Sequence, residues 1–185
     1  MSRNRNGRTS ILRHDLVALT LAAAAAAVTI NANASGHDIF AKIGDIKGES
    51  DDAKHKDYFD VLSWSWGVTG PLRKTPVCPH EFTIDKYVDA ASPLLVTAAV
   101  QGQVFPTASV TVRKAGSQVG DYLSFTFSNV VITSMQSQAT ASLDKLNETM
   151  TLAYASATFS YKPQQADGSL GAAITATVPA SCPPP

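Results

Sequence analysis

From Asp38 onward the chain alternates apolar and polar side chains in short runs. A period of two places successive side chains on opposite faces of a strand. The run DIFAKI (38–43) is a short strand on this reading. In YFDVLSWSWGV (58–68), Leu62, Trp64, Trp66 and Val68 fall on one face, and Ser63, Ser65 and Gly67 on the other. EFTIDKYV (81–88) has the same character. VFPTASVTVRK (104–114) gathers Val104, Ala108, Val110 and Val112 on one side. DYLSFTFSNVVITSM (121–135) does the same with Leu123, Phe125, Phe127 and Val131. TMTLAYASATFSYK (149–162) changes phase, from Met150, Leu152 and Tyr154 on one face to Ala157, Phe159 and Tyr161 on the other. That change predicts a bulge or sharp bend near Ala155. AAITATV (172–178) closes the series. Between the strands, TGPLRKTPVCPH (69–80) holds three prolines and a glycine and reads as a loop. QSQATASLDKLNE (136–148) reads as a polar loop.

One segment departs from alternation. SPLLVTAAVQG (92–102) offers Ser92 as an N-cap, Pro93 in the first turn and Gly102 as a stop. Leu94, Leu95, Ala98 and Ala99 share a face at helical spacing. So short a helix needs a sheet to dock on. Several strands, one helix and further strands, without an internal repeat, predict a mainly β fold: a compact β-barrel with one short flanking α-helix.

The start of the chain follows another pattern. Arg3, Arg5, Arg8 and Arg13 precede an apolar stretch, LVALTLAAAAAAVTI (16–30), and Ala32-Asn33-Ala34 fits a small-x-small cleavage site. Residues 1–34 read as a Sec-type signal peptide, the alternative being an uncleaved N-terminal anchor. The stretch is short and alanine-rich for a membrane span, so no stable span is expected after cleavage. The domain is then 35–185, ending in a proline-rich tail (179–185). Cleavage also changes the charge. Of 15 basic and 15 acidic residues, the leader holds four arginines and Asp15, which leaves 11 and 14. A mildly acidic domain without a basic stripe argues against nucleic-acid binding.

Composition then narrows the chemistry. The domain has three histidines, His37, His55 and His80, widely separated and outside any HExxH motif. No metal site is expected. There is no GxSxG elbow, no P-loop and no CxxC. No catalytic residue and no cofactor are assigned, and an enzyme is not expected. Cys78 and Cys182 are the two cysteines. In an exported chain they form a disulfide or stay as two surface thiols. Lys54, His55, Lys56 and Asp57 sit among further acids just before the tryptophan-bearing strand. They read as a solvated turn, with contact to a neighbouring subunit as the functional alternative and catalysis at His55 behind both.

Several of these runs, in this order, resemble the haemolysin-coregulated protein (Hcp) family, the inner-tube proteins of bacterial type VI secretion systems. They are Asp38–Ile43, Ile46–Ser50, Lys54–Asp57 and Leu62–Gly67, then Ala91–Leu94 with Gly102-Gln103, Thr111–Gly116, and Tyr161–Gln164 with Ala166–Ser169. The resemblance covers roughly residues 38–178. It implies a structural protein that self-associates into a hexameric ring, and rings that stack into a tube with a spike protein at its tip and small effectors in its lumen. Apolar side chains on both faces of a strand suit a ring, one face filling the barrel and the other meeting a neighbour. Two features depart from the family pattern. Tube proteins are loaded from the cytoplasm, whereas this chain carries a leader that predicts a periplasmic or secreted location. The loop 69–80 is also short beside the family's stacking loop, and it carries Cys78. The alternative reading is an exported Hcp-like binding module that has left the secretion machine.

Overall fold

A computed structural model describes residues 36–70, 78–114, 120–139, 141 and 144–180. Residues 1–34, most of the loop 69–80, and Cys182 with the end of the tail lie outside the described residues. In chain order the elements are β1 (His37–Ile43), β2 (Phe59–Ser65), β3 (Val68–Thr69), β4 (Cys78–Pro79), β5 (Phe82–Tyr87), α1 (Ser92–Gln101), β6 (Phe105–Lys114), β7 (Asp121–Gln138), β8 (Asn147–Ala153), β9 (Ser156–Tyr161) and β10 (Ile174–Pro179).

Pairing runs β10-β9-β7-β6-β1-β2-β5-β8, and β8 pairs again with β7. That second pairing closes β7, β6, β1, β2, β5 and β8 into a six-stranded barrel. Closure removes the barrel's own edges, and β9 and β10 extend the sheet outward from β7. All the pairings are antiparallel. β3 and β4 form a separate two-stranded ribbon.

β7 is the strand that turns the corner. Its first half, to Val130, pairs with β6 and β9, and its second half, from Val131, pairs with β8. Asn129 sits between them with φ of 47°. Asparagine tolerates this left-handed conformation better than most residues. The phase shifts there: Phe125 and Phe127 point inward before it, Val130 and Ile132 after it. Val131 therefore leaves the face that simple alternation gives it. β2 shows the same effect, its pairing with β5 slipping between Val61 and Ser63. Phe59 and Val61 are buried, Leu62 is 40% exposed, and Trp64 and Trp66 return to the core. The expected bend near Ala155 is present, since β8 ends at Ala153 and β9 starts at Ser156. The supposed loop 136–148 is shorter than alternation suggests: β7 runs through Gln138, and Asn147 and Glu148 already belong to β8.

Aromatic rings fill the barrel. Phe82 lies 5.0 Å from Phe125 and 4.9 Å from Phe127, centroid to centroid, and Trp64 and Trp66 approach Phe125 edge-on. Such geometry adds to simple area burial. Trp66 donates its indole N–H to the Tyr154 hydroxyl at 2.7 Å, and that hydroxyl donates to the His80 carbonyl at 2.8 Å. Burial raises the Tyr154 pKa, and the indole bond opposes the shift. α1 docks through Leu95 and Ala98. Gly102 caps it with φ of 60°, and the amides of Gly102 and Gln103 bond back to Ala99 and Ala98. Leu94, expected on the buried face, is 57% exposed.

Gly48 marks the tightest backbone approach. A Cβ there would fall inside contact distance of the Tyr58 carbonyl and the Phe59 ring, while its amide bonds the Asp57 carbonyl at 2.9 Å. Gly48→Ala must push these two segments apart. We expect a stability loss of about 1–3 kcal/mol, read as a lower urea midpoint with an unchanged slope. An unaltered midpoint would show that the contact yields without cost.

Candidate assembly surface and the charged clusters behind it

The segment 51–58 enters β2 as a turn, and its charged residues have different fates. Lys54 and Lys56 are exposed. Asp57 is half-buried, adopts φ of 63° and pairs with Lys47 at 3.1 Å. His55 is only 4% exposed. Its ring stacks on Phe40 at 4.2 Å and meets Tyr58 edge-on. Nδ1 lies 3.1 Å from Asp52 and Nε2 lies 3.0 Å from Asp121 at the start of β7. The solvated-turn reading therefore fails for His55, whose ring is buried within its own chain. Both ring nitrogens already have partners, so neither is free for a substrate.

Asp52 is the hub of this cluster. Its Oδ1 accepts the backbone N–H groups of Lys54 at 2.9 Å and His55 at 3.1 Å, an Asx-type turn. Arg113 from β6 donates to its Oδ2, and also reaches Asp38 of β1 at 3.3 Å. The Arg113 guanidinium holds the Asp52 carboxyl well below the usual carboxylate range, with the backbone and His55 bonds adding to it and burial opposing. The same contact raises the Arg113 pKa. Arg113 also lies over the Phe40 ring, 5.3 Å from its centroid. One turn is thus clamped onto three strands, and its two lysines are held outward from a rigid base.

A second cluster lies between β5, β8 and the start of α1. Lys86 and Glu148 are opposite each other in the β5–β8 register, and their side chains are 2.7 Å apart. They are 0% and 1% exposed. The Lys86 ammonium also donates to Asp89 at 2.8 Å and to the Tyr87 carbonyl at 2.7 Å. Ser92, expected to cap α1, donates its hydroxyl to Glu148 at 2.7 Å. The residue in the N-cap position is Ala91. Asp89 accepts the Ala91 amide at 3.0 Å and the Ser92 hydroxyl accepts the Asp89 amide at 3.0 Å. So the turn before the helix is fastened to the barrel wall by a buried ion pair.

Two surface features adjoin these clusters. A groove beside the second is lined by Glu49, Asp60, Tyr87, Asp89, Asp144 and Lys145, among others. Its charge is mostly acidic, opposite to that of Lys54 and Lys56. On α1, Leu94, Val96 and Val100 are exposed, and Val104 follows them. Among the described residues no group of histidine, cysteine and carboxylate side chains is arranged to hold a metal. Among the same residues no helix is long and apolar enough to cross a membrane.

The described residues thus form a barrel with one flanking helix, two charged clusters and an exposed helix face. Residues 40–161 match the family described as "Type VI secretion system effector, Hcp". The chain is 40% identical over 141 residues to protein hcp1 of Pseudomonas aeruginosa, a match covering 71% of this chain and 86% of that one. Among solved structures, one described as a type six secretion system protein superposes with a TM-score of 0.70 at 32% identity, covering 75% of this chain and 92% of the other. Hcp1 from Salmonella typhimurium superposes with a TM-score of 0.66 at 32% identity, covering 77% and 94%. The chain belongs to the Hcp family of type VI secretion proteins.

Proposed function

We propose that residues 35–185 form a hexameric ring, a tube component of a type VI secretion system, exported by the leader 1–34 to the periplasm or beyond. Family membership across the barrel carries this reading: the match at 40–161 spans from β1 to β9. The clamped turn supports a subunit contact through Lys54, Lys56 and Asp57, with His55 bracing it from behind. Charges presented from a rigid base lose little further freedom on association. In a ring each copy offers one surface to a different surface of the next. The acidic groove is a complementary surface for the lysines. Stacked rings would take a spike protein and small effectors as partners.

Native mass measurement and electron microscopy of the mature protein test the reading together. Hexamers and rings are the expected result, and a strict monomer at high concentration would overturn it in favour of an exported binding module. The interface is tested separately by reversing both lysines, Lys54→Glu with Lys56→Glu. The hexamer population should fall at least tenfold at fixed protein concentration, with near-UV circular dichroism unchanged. Intact hexamers would remove this turn from the interface.

A further inference from the structure

We infer that the groove beside β2, β5 and β8 is a seat for a lysine side chain of a second copy of this chain. Tyr87 forms its floor, Asp60 and Asp144 are its acceptors, and Lys145 is a resident plug that the incoming lysine displaces. The inference rests on the proposed subunit contact and names the groups that such a contact must fit.

Strand register builds the seat. Tyr87, the last residue of β5, is opposite Asn147, the first of β8. The Val88 amide then donates to the Leu146 carbonyl at 2.9 Å, so the pairing continues past the end of β5. Lys145 stands two positions before Asn147. It therefore falls on the same side of the sheet as Tyr87, as its diagonal neighbour. Its ammonium lies 4.9 Å from the centre of the Tyr87 ring. Across β5, Asp60 precedes Val61, the residue opposite Lys86. Tyr87, Val88 and Leu146 are all exposed and give the groove an apolar floor.

Four carboxylates line the groove around that floor: Glu49, Asp60, Asp89 and Asp144. Two of them are already engaged. Asp89 holds the Lys86 ammonium at 2.8 Å, and Glu49 accepts the Ala90 amide at 3.1 Å. Asp60 and Asp144 are exposed and have no hydrogen-bond or ion-pair partner among the described residues, Lys145 included. An aromatic face beside uncommitted carboxylates suits a lysine, whose methylenes cover apolar surface while its ammonium meets the ring and the acids. Lys145 makes only half of this arrangement. It covers the ring and leaves both acids unpaired. Lys54 and Lys56 of a second copy complete it. They are exposed and carried on the clamped turn, so little order has to be imposed on them at contact.

The seat is tested by zero-length cross-linking. Light- and heavy-nitrogen protein are mixed at low concentration, concentrated to assemble, and treated with a carbodiimide, which joins a lysine to a carboxylate only in direct contact. Peptide mapping should find mixed-isotope links from Lys54 or Lys56 to Asp60 or Asp144. Hexamers whose mixed links lie elsewhere, or whose groove is linked to a different lysine, would overturn the seat and leave the ring standing. No hexamers and no mixed links would overturn both. The plug is tested by two substitutions with opposite expected effects. Lys145→Gln removes the competing charge, so the protein concentration at half-assembly should fall about two- to fivefold, the weight of an exposed cation–π contact. Lys145→Arg keeps the charge and grips the ring more firmly, so that concentration should rise. Shifts in the same direction, or none, would overturn the plug. Lys145 is exposed, and unchanged near-UV circular dichroism verifies that both variants keep the fold.

Discussion

Lys86→Met should cost about 3–5 kcal/mol of stability, more than Glu148→Gln, although both remove one half of the same ion pair. The difference lies in what each change strands. Without Lys86, Glu148 keeps only the Ser92 hydroxyl, and its Oε2 has no hydrogen-bond partner among the described residues. A carboxylate sealed in the barrel wall would then have no cation. Without the Glu148 charge, the ammonium still holds Asp89 and the Tyr87 carbonyl. Glu148→Gln should therefore cost only about 1–3 kcal/mol. The pair is incompletely satisfied, so the double replacement Lys86→Met with Glu148→Leu should recover most of the loss. Urea titration at neutral pH and fixed protein concentration measures all three. Equal losses for the two single variants, or a double variant as unstable as their sum, would show that burial of an unpaired charge is not what matters here.

This ion pair also shows what the sequence discloses and what it hides. The strands are legible as alternation, and so is the bend at Ala155, because a change of phase is a local signal. The slips at Leu62 and Val131 are not. Each follows from a partner strand's register, which local alternation does not contain. Pro93 and Gly102 mark the helix in the sequence, but its N-cap is Ala91 and not Ser92, since Ser92 turns to a carboxylate on β8. Lys86 and Glu148 did leave a trace. Lys86 has the same parity as Phe82 and Ile84, and Glu148 the same as Met150 and Leu152. A charge at an inward position of one strand is ambiguous. Opposite charges at inward positions of two strands predict a buried pair once the strands are known to be neighbours. His55 left no such trace, because it lies in a turn and one of its carboxylate partners lies 66 positions away.

Asp52→Asn should lower stability at neutral pH by about 1.5–3 kcal/mol and flatten its dependence on pH in the acid range. Asparagine keeps an oxygen for the amides of Lys54 and His55 but offers Arg113 no negative charge. In the unaltered protein the Asp52 carboxyl is depressed below its unfolded value of about 3.9. Its stabilisation is therefore complete above that value. It is lost as pH falls toward the folded pKa, because the unfolded chain takes up the proton first. Asp38 and Asp121 face the same cluster in both proteins, so the difference between the two stability curves isolates Asp52. The curves should stay apart from neutral pH down to about 5 and converge below about 4. Urea midpoints across this range provide the measurement. Parallel curves down to the acid limit would mean that the Arg113 contact contributes no charge-dependent stability, and that the turn carrying Lys54 and Lys56 is held by its backbone bonds and by the stacking of His55 on Phe40 instead.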